Sequence, residues 1–223
     1  MMKYINIHSH KISNEPDVIS LTNIFAADAG QLTNIGPGYF SVGLHPWYIR
    51  KERLEEDMAL AEKAASHPQV IAIGETGLDR ITDADWSLQQ EVFGRHLEIA
   101  ARAGKPVIVH AVKSHPEVIS LHRSLGLDVQ MIFHDFNKHR NLARQLLDHG
   151  FYLSLKASLL SHGRRSENLI GEIPDDRLFL ETDDTGMDIR EFYQAVAEEK
   201  NIPVDELKRI IHKNFETCFG GLL

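Results

Sequence analysis

Eight short apolar runs of strand length, separated later in the chain by stretches with helical spacing, constrain this sequence most. The runs are YINIH (4–8), LTNIFAAD (21–28), YFSVGLH (39–45), VIAIGE (70–75), PVIVH (106–110), VQMIFH (129–134), FYLSLKA (151–157) and LFLETD (178–183). Apolar residues recur at helical intervals over about 51–66, 88–103, 115–125, 139–149 and 164–172, with a closing pair near 188–199 and 204–219. Strand alternating with helix argues for a parallel sheet. Eight such strands in 223 residues predict a single-domain (β/α)8 TIM barrel spanning 1–223. The first two connections, near 9–20 and 29–38, are short and carry Pro or Gly, so shortened early βα connections are expected. A doubly wound open sheet is the alternative, but no Gly-rich phosphate loop follows the first strand.

Active sites of parallel barrels gather at the C-terminal ends of the strands. Those ends carry His8 with His10, His45, Glu75, His110, His134 and Asp183. Alternate strand residues face opposite sides. Asn6, His8 and His10 therefore share one face, as do Phe179, Glu181 and Asp183. In PVIVH, Val107 and Val109 point away from the face that His110 takes. One rule places every candidate inside.

Even with His45 set aside, four imidazoles and two carboxylates at one rim are poor packing material, because a buried unpaired carboxylate is costly. Lys156 is the lone cation near these strand ends, so a divalent ion is the expected counter-charge. Imidazole with carboxylate suits Zn, Mn, Fe or Ni. Six ligands exceed what one tetrahedral ion needs. Two ions ~3.5–4 Å apart, bridged by a carboxylate, form the arrangement that hydrolyses phosphate esters. The remaining histidines (67, 96, 115, 122, 139, 149, 162 and 212) fall in helical or loop stretches and read as surface or cap residues.

Composition excludes some classes. No apolar run approaches the ~20 residues that span a bilayer, so no membrane partner is expected, nor is an obligate protein partner evident. A single cysteine, Cys218, excludes an internal disulfide and fits a reducing compartment. MMKYINIHSH runs straight into a strand pattern without the apolar block of a signal peptide. The cytoplasm is the expected location. A formal charge of −8 works against broad basic grip on a polyanion, although bound divalent ions would add local positive charge.

NIHSH, VGLHPW, AIGETGLD, PVIVH, FHDF, LFLETD and the closing NFETCFG together resemble the TatD-type metal-dependent deoxyribonucleases of the amidohydrolase superfamily. The resemblance covers nearly the whole chain. It implies a TIM-barrel hydrolase with two divalent ions (Zn, Mg or Mn) that cleaves phosphodiester bonds in DNA, often from a strand end. His8 and His10 would then hold the first ion, His110 and His134 the second, with Glu75 shared between them. Asp183 would bind the first ion and act as general base, His45 would contact the scissile phosphate, and Asp79 would orient neighbouring groups. The chain departs from the family pattern at Val112, where an arginine is common, at HDFNK, and at Asp184-Thr185. Lys156, inward by parity, is the expected substitute contact for substrate phosphate.

Two other functions compete. One is hydrolysis of another small phosphoester, or of a lactone or amide, on the same barrel. Glu75, where many relatives carry a carboxylated lysine, tilts against the amide version. The other is a metal-dependent binding module without catalysis.

Overall fold

The computed structural model describes residues 2–34, 36–160 and 169–221. Its strands are β1 (Tyr4–Ser9), β2 (Val18–Phe25), β3 (Tyr39–Gly43), β4 (Val70–Asp79), β5 (Val107–Val112), β6 (Met131–Phe133), β7 (Tyr152–Lys156) and β8 (Leu178–Glu181). The helices are α1 (Leu54–Ala65), α2 (Trp86–Ala103), α3 (His115–Leu125), α4 (Arg140–Asp148), α5 (Leu169–Glu172), α6 (Ile189–Lys200) and α7 (Val204–Phe219). The strands follow chain order through one hydrogen-bonded sheet.

Two boundaries differ from the sequence reading. The second strand begins at Val18 and pairs with Tyr4 of β1. Residues 26–28, read as strand, belong to a 3-10 segment, Ala26–Thr33. The sixth strand keeps only three residues. The early connections lack a full α-helix, as their length suggests. Helix 164–172 is seen as α5 from residue 169; its earlier part and His162 lie outside the described residues.

The chain forms two compact units, Met1–Thr22 with Ile132–Leu223, and Asn23–Met131. In the first, β6, β7, β8, β1 and the start of β2 run parallel, with Leu155 opposite Leu180 and Ser9 bridging to Asp183. Its core joins β7 and β8 to α7 through Tyr152, Phe179, Phe215 and Phe219, the last two rings stacked at 4.3 Å. Tyr193 of α6 donates its hydroxyl to the Ile5 carbonyl and accepts from the Ile5 amide. Asp188 caps α6 by accepting from the Arg190 amide.

The second unit is built round β4, all ten residues of which are buried. Ile24, Leu32, Phe40, Val42, Ala64 and Val70 form a core cluster beside it. Glycines let β4 lie close to its neighbours. A Cβ on Gly77, at φ 152°, would sit 1.9 Å from the His110 carbonyl oxygen, and one on Gly74 would sit 2.5 Å from that of Ile108. Helix α2 starts where Asp85 accepts from the Leu88 amide and stops at Gly104, left-handed at φ 63°. Among the described residues no helix is long and apolar enough to cross a membrane.

His96 of α2 corrects the surface reading of its class. It is fully buried. Its Nδ1–H donates to the Val92 carbonyl at 2.8 Å, and its Nε2 accepts from the Leu44 amide at 3.1 Å. Both ring nitrogens are thus used in the neutral form, and the ring ties α2 to the residue before His45. Burial drives its pKa down to about 4 from 6.5. Between those values the unfolded chain takes a proton that the folded ring refuses, so stability is held above pH 6.5 and lost on acidification towards 4. The shift corresponds to about 3 kcal/mol. Urea unfolding of wild type and His96→Gln between pH 7 and 4 checks this. The wild-type curve should fall more steeply, and parallel curves would remove His96 from the acid response.

Candidate metal centre

In the Asn23–Met131 unit, Glu75 is fixed from below. Its backbone amide donates to Asn23 Oδ1 at 2.6 Å, an oxygen that also takes the Ser41 hydroxyl. The buried Glu75 carboxylate then meets two imidazoles. Its Oε1 lies 2.8 Å from His110 Nδ1 and 3.1 Å from His45 Nε2. The ligand atoms of His45, Glu75 and His110 all lie within 4.8 Å of one another. By distance alone, all three could hold one ion.

The ring nitrogen that each imidazole turns to Glu75 separates them. His45 lies just before a 3-10 turn, Pro46–Tyr48, and Pro46 brings no amide hydrogen. The next amide, Trp47 N–H, points at His45 Nδ1 from 3.1 Å. A neutral ring that accepts at Nδ1 carries its proton on Nε2. His45 therefore offers an N–H towards Glu75 and is a donor rather than a ligand.

His110 is held the opposite way. Its Nε2 lies 3.1 Å from Asp79 Oδ2, which also accepts from the Trp47 indole N–H at 2.6 Å, while Asp79 Oδ1 accepts from the Ile81 amide. Burial alone would raise the Asp79 pKa, but the bonds from Ile81, Trp47 and His110 outweigh it and hold the group below the usual carboxylate range. Asp79 takes the His110 Nε2–H and turns Nδ1 to the Glu75 side. A carboxylate behind a histidine in this way is the usual support for a metal-ligating ring.

The other unit holds a second cluster. His8 is wholly buried on β1, and its ring lies 4.7 Å from that of His134. His10, partly exposed, has Nε2 3.2 Å from Asp183 Oδ1, with His8 Nε2 at 3.6 Å from the same oxygen. Asp183 sits at φ 51°, a left-handed conformation that Asp tolerates better than most residues. That turn lets its amide bond the His8 carbonyl and its carbonyl accept from the His10 amide. Lys156 Nζ lies 2.7 Å from Asp183 Oδ2 and 2.8 Å from Asp184 Oδ1. Burial favours the neutral acid at Asp183, yet the contacts of His10, His8, His134 and Lys156 prevail and keep it well below the ordinary range. Lys156 is correspondingly pushed up: burial opposes its charge, but Asp183 and Asp184 more than offset that.

Glu181 was not singled out from sequence as a site residue, though parity places it on the Asp183 face. It is wholly buried. Its Oε1 accepts from the Asp135 amide at 2.7 Å and lies 3.3 Å from His134 Nδ1. It supports His134 as Asp79 supports His110, but on the opposite ring nitrogen. Among the described residues its Oε2 meets no hydrogen-bond donor, and a buried carboxylate oxygen left so suits a cation. Buried acids backing imidazoles whose other nitrogen faces a second acid form a donor set that fits divalent ions.

Comparisons with known proteins agree with the donor set. A family model described as TatD related DNase matches residues 26–220. A metal-dependent hydrolase of Bacillus subtilis, YabD, is 32% identical over 148 residues, 65% of this chain and 58% of the relative. The Mycobacterium tuberculosis metal-dependent hydrolase TatD is 31% identical over 153 residues, 65% and 57%. The chain thus spans under two thirds of the length of these two relatives. The crystal structure of YJJV, a TatD homologue from Escherichia coli K12, covers 98% of each chain with a TM-score of 0.81 at 20% identity. That likeness shows the fold, and with the strand order it makes the chain the (β/α)8 barrel that the sequence predicts.

Glu181→Gln should weaken Zn2+ binding about 10- to 100-fold, read by isothermal titration, while leaving the folded circular-dichroism spectrum in place. Unaltered affinity would take Glu181 out of the site.

Proposed function

The chain belongs to the TatD-related DNase family, and on that premise we propose that it is a metal-dependent hydrolase cleaving phosphodiester bonds in DNA. The observation that carries this reading is the division of labour round Glu75, where Asp79 prepares His110 as a ligand while Trp47 makes His45 a donor. Binding one of two neighbouring imidazoles to an ion and keeping an N–H on the other suits an anionic substrate oxygen.

In this reading Glu75 and His110 would hold one ion, and His8, His10, Asp183 and the Glu181-backed His134 would hold another. The ions would supply Lewis acidity towards phosphoryl oxygens and an acidified water. His45 Nε2–H donates to a phosphoryl oxygen. Asp183, ionised across the working pH range, accepts a proton from the attacking water. Lys156, held by Asp183 and Asp184, is the cation offered to a substrate phosphate.

A second reading, a small phosphoester, lactone or amide as substrate, draws on the net charge of −8 and on the exposed Asp184 beside Lys156. A polyanion is less welcome there than a small ester.

The test is incubation of metal-loaded protein with single-stranded oligonucleotides in Mg2+, Mn2+, Co2+ and Zn2+, beside a panel of phosphate monoesters, lactones and amides. Oligonucleotides should shorten, and Asp183→Asn should lower kcat at least ~100-fold. Turnover confined to the lactones and amides would overturn the DNA reading.

A further inference from the structure

Trp47 is one of the few large apolar side chains in open contact with water, at 56% exposure, and Tyr48 beside it is 47% exposed. Exposed aromatics that simply fill surface are free to turn. Trp47 is not. Its indole N–H is spent on the buried Asp79 at 2.6 Å, and its ring stands edge-on to His45, at 4.9 Å and 77°, and to His110, at 5.8 Å and 77°. Tyr48 is braced in turn by Phe25, ring to ring at 4.8 Å. Pro46 and the Trp47 amide bond to His45 set the turn that carries both.

The outcome is a flat π surface held rigidly beside the histidine that donates to phosphate and the histidine that ligates. With its only polar hydrogen turned inward, the indole can recognise a partner by stacking but not by hydrogen bonding. An aromatic plane that tolerates any base is how single-stranded nucleic acids are held without sequence preference. We propose that Trp47, with Tyr48 alongside, is the stacking platform for the nucleobase adjoining the scissile phosphate. A platform of this kind suits a chain of net charge −8, because affinity drawn from stacking does not depend on phosphate neutralisation. The inference rests on the phosphodiesterase reading and goes beyond it by naming what holds the base.

The experiment compares wild type, Trp47→Ala and Trp47→Phe on short oligothymidylates and on the same oligomers lacking the base on either side of the cleaved linkage. For wild type, removing the critical base should raise KM roughly 5- to 100-fold. Trp47→Ala should bind intact and abasic oligomers alike, and Trp47→Phe, which keeps a ring but loses the bond to Asp79, should retain most of the discrimination. Titration of the protein with a phosphorothioate oligothymidylate gives a second readout, since stacking should quench Trp47 emission and an abasic oligomer should not. If Trp47→Ala keeps the wild-type ratio between intact and abasic oligomers, the platform is wrong even though hydrolysis stands. If no oligomer is cleaved, the DNA phosphodiesterase reading fails, and the quenching alone decides whether Trp47 stacks on a base. Absence of quenching would reject the platform there too.

Discussion

An imidazole can give a metal only one nitrogen, and the group that holds the other decides which one. The candidate centre is organised by that constraint. Asp79 takes Nε2 of His110, Glu181 faces Nδ1 of His134, and a backbone amide takes Nδ1 of His45. Three histidines with similarly buried side chains are thereby given different roles by the groups that hold their rings. The cost is several carboxylates kept out of water. It is met by converging donors, as at Asp79, by Lys156 at Asp183, and at Glu181 in part by the Asp135 amide.

The fold serves this arrangement through close approach. Gly74 and Gly77 let β4 come within reach of β5, so that Glu75 and Asp79 lie on either side of His110. Left-handed residues stand within two positions of the ends of β5, β6 and β8, at Lys113, Asp135 and Asp183. A buried histidine of α2, His96, steadies Leu44 from the other side.

Most of the architecture was legible in the primary structure because period-2 runs ending in histidine or acid are a local signal. The ligand candidates were picked out by the same signal, although Glu75 and His110 lie inside β4 and β5 and His45 and Asp183 lie beyond their strands. What escaped depended on distance in sequence. Glu181 supports a ring 47 residues away, which spacing alone does not reveal, and the orienting role that the family resemblance implies for Asp79 did not say that the ring it holds lies 31 residues on. Residues 26–28 have strand composition, but register with β1 starts the second strand at Val18 and gives them to a 3-10 turn. His96 looked like a surface histidine because helical spacing does not reveal that both its nitrogens find backbone partners. Trp47 was read only as part of a family block, while its exposure and its bond to Asp79 emerge in three dimensions.

The central claim concerns proton positions, and nitrogen-15 NMR of the histidine rings in zinc-loaded protein reads them directly. The account predicts the ring proton on Nε2 in His110 and His45, and on Nδ1 in His134. A proton on Nδ1 of His110 or His45, or on Nε2 of His134, would contradict it.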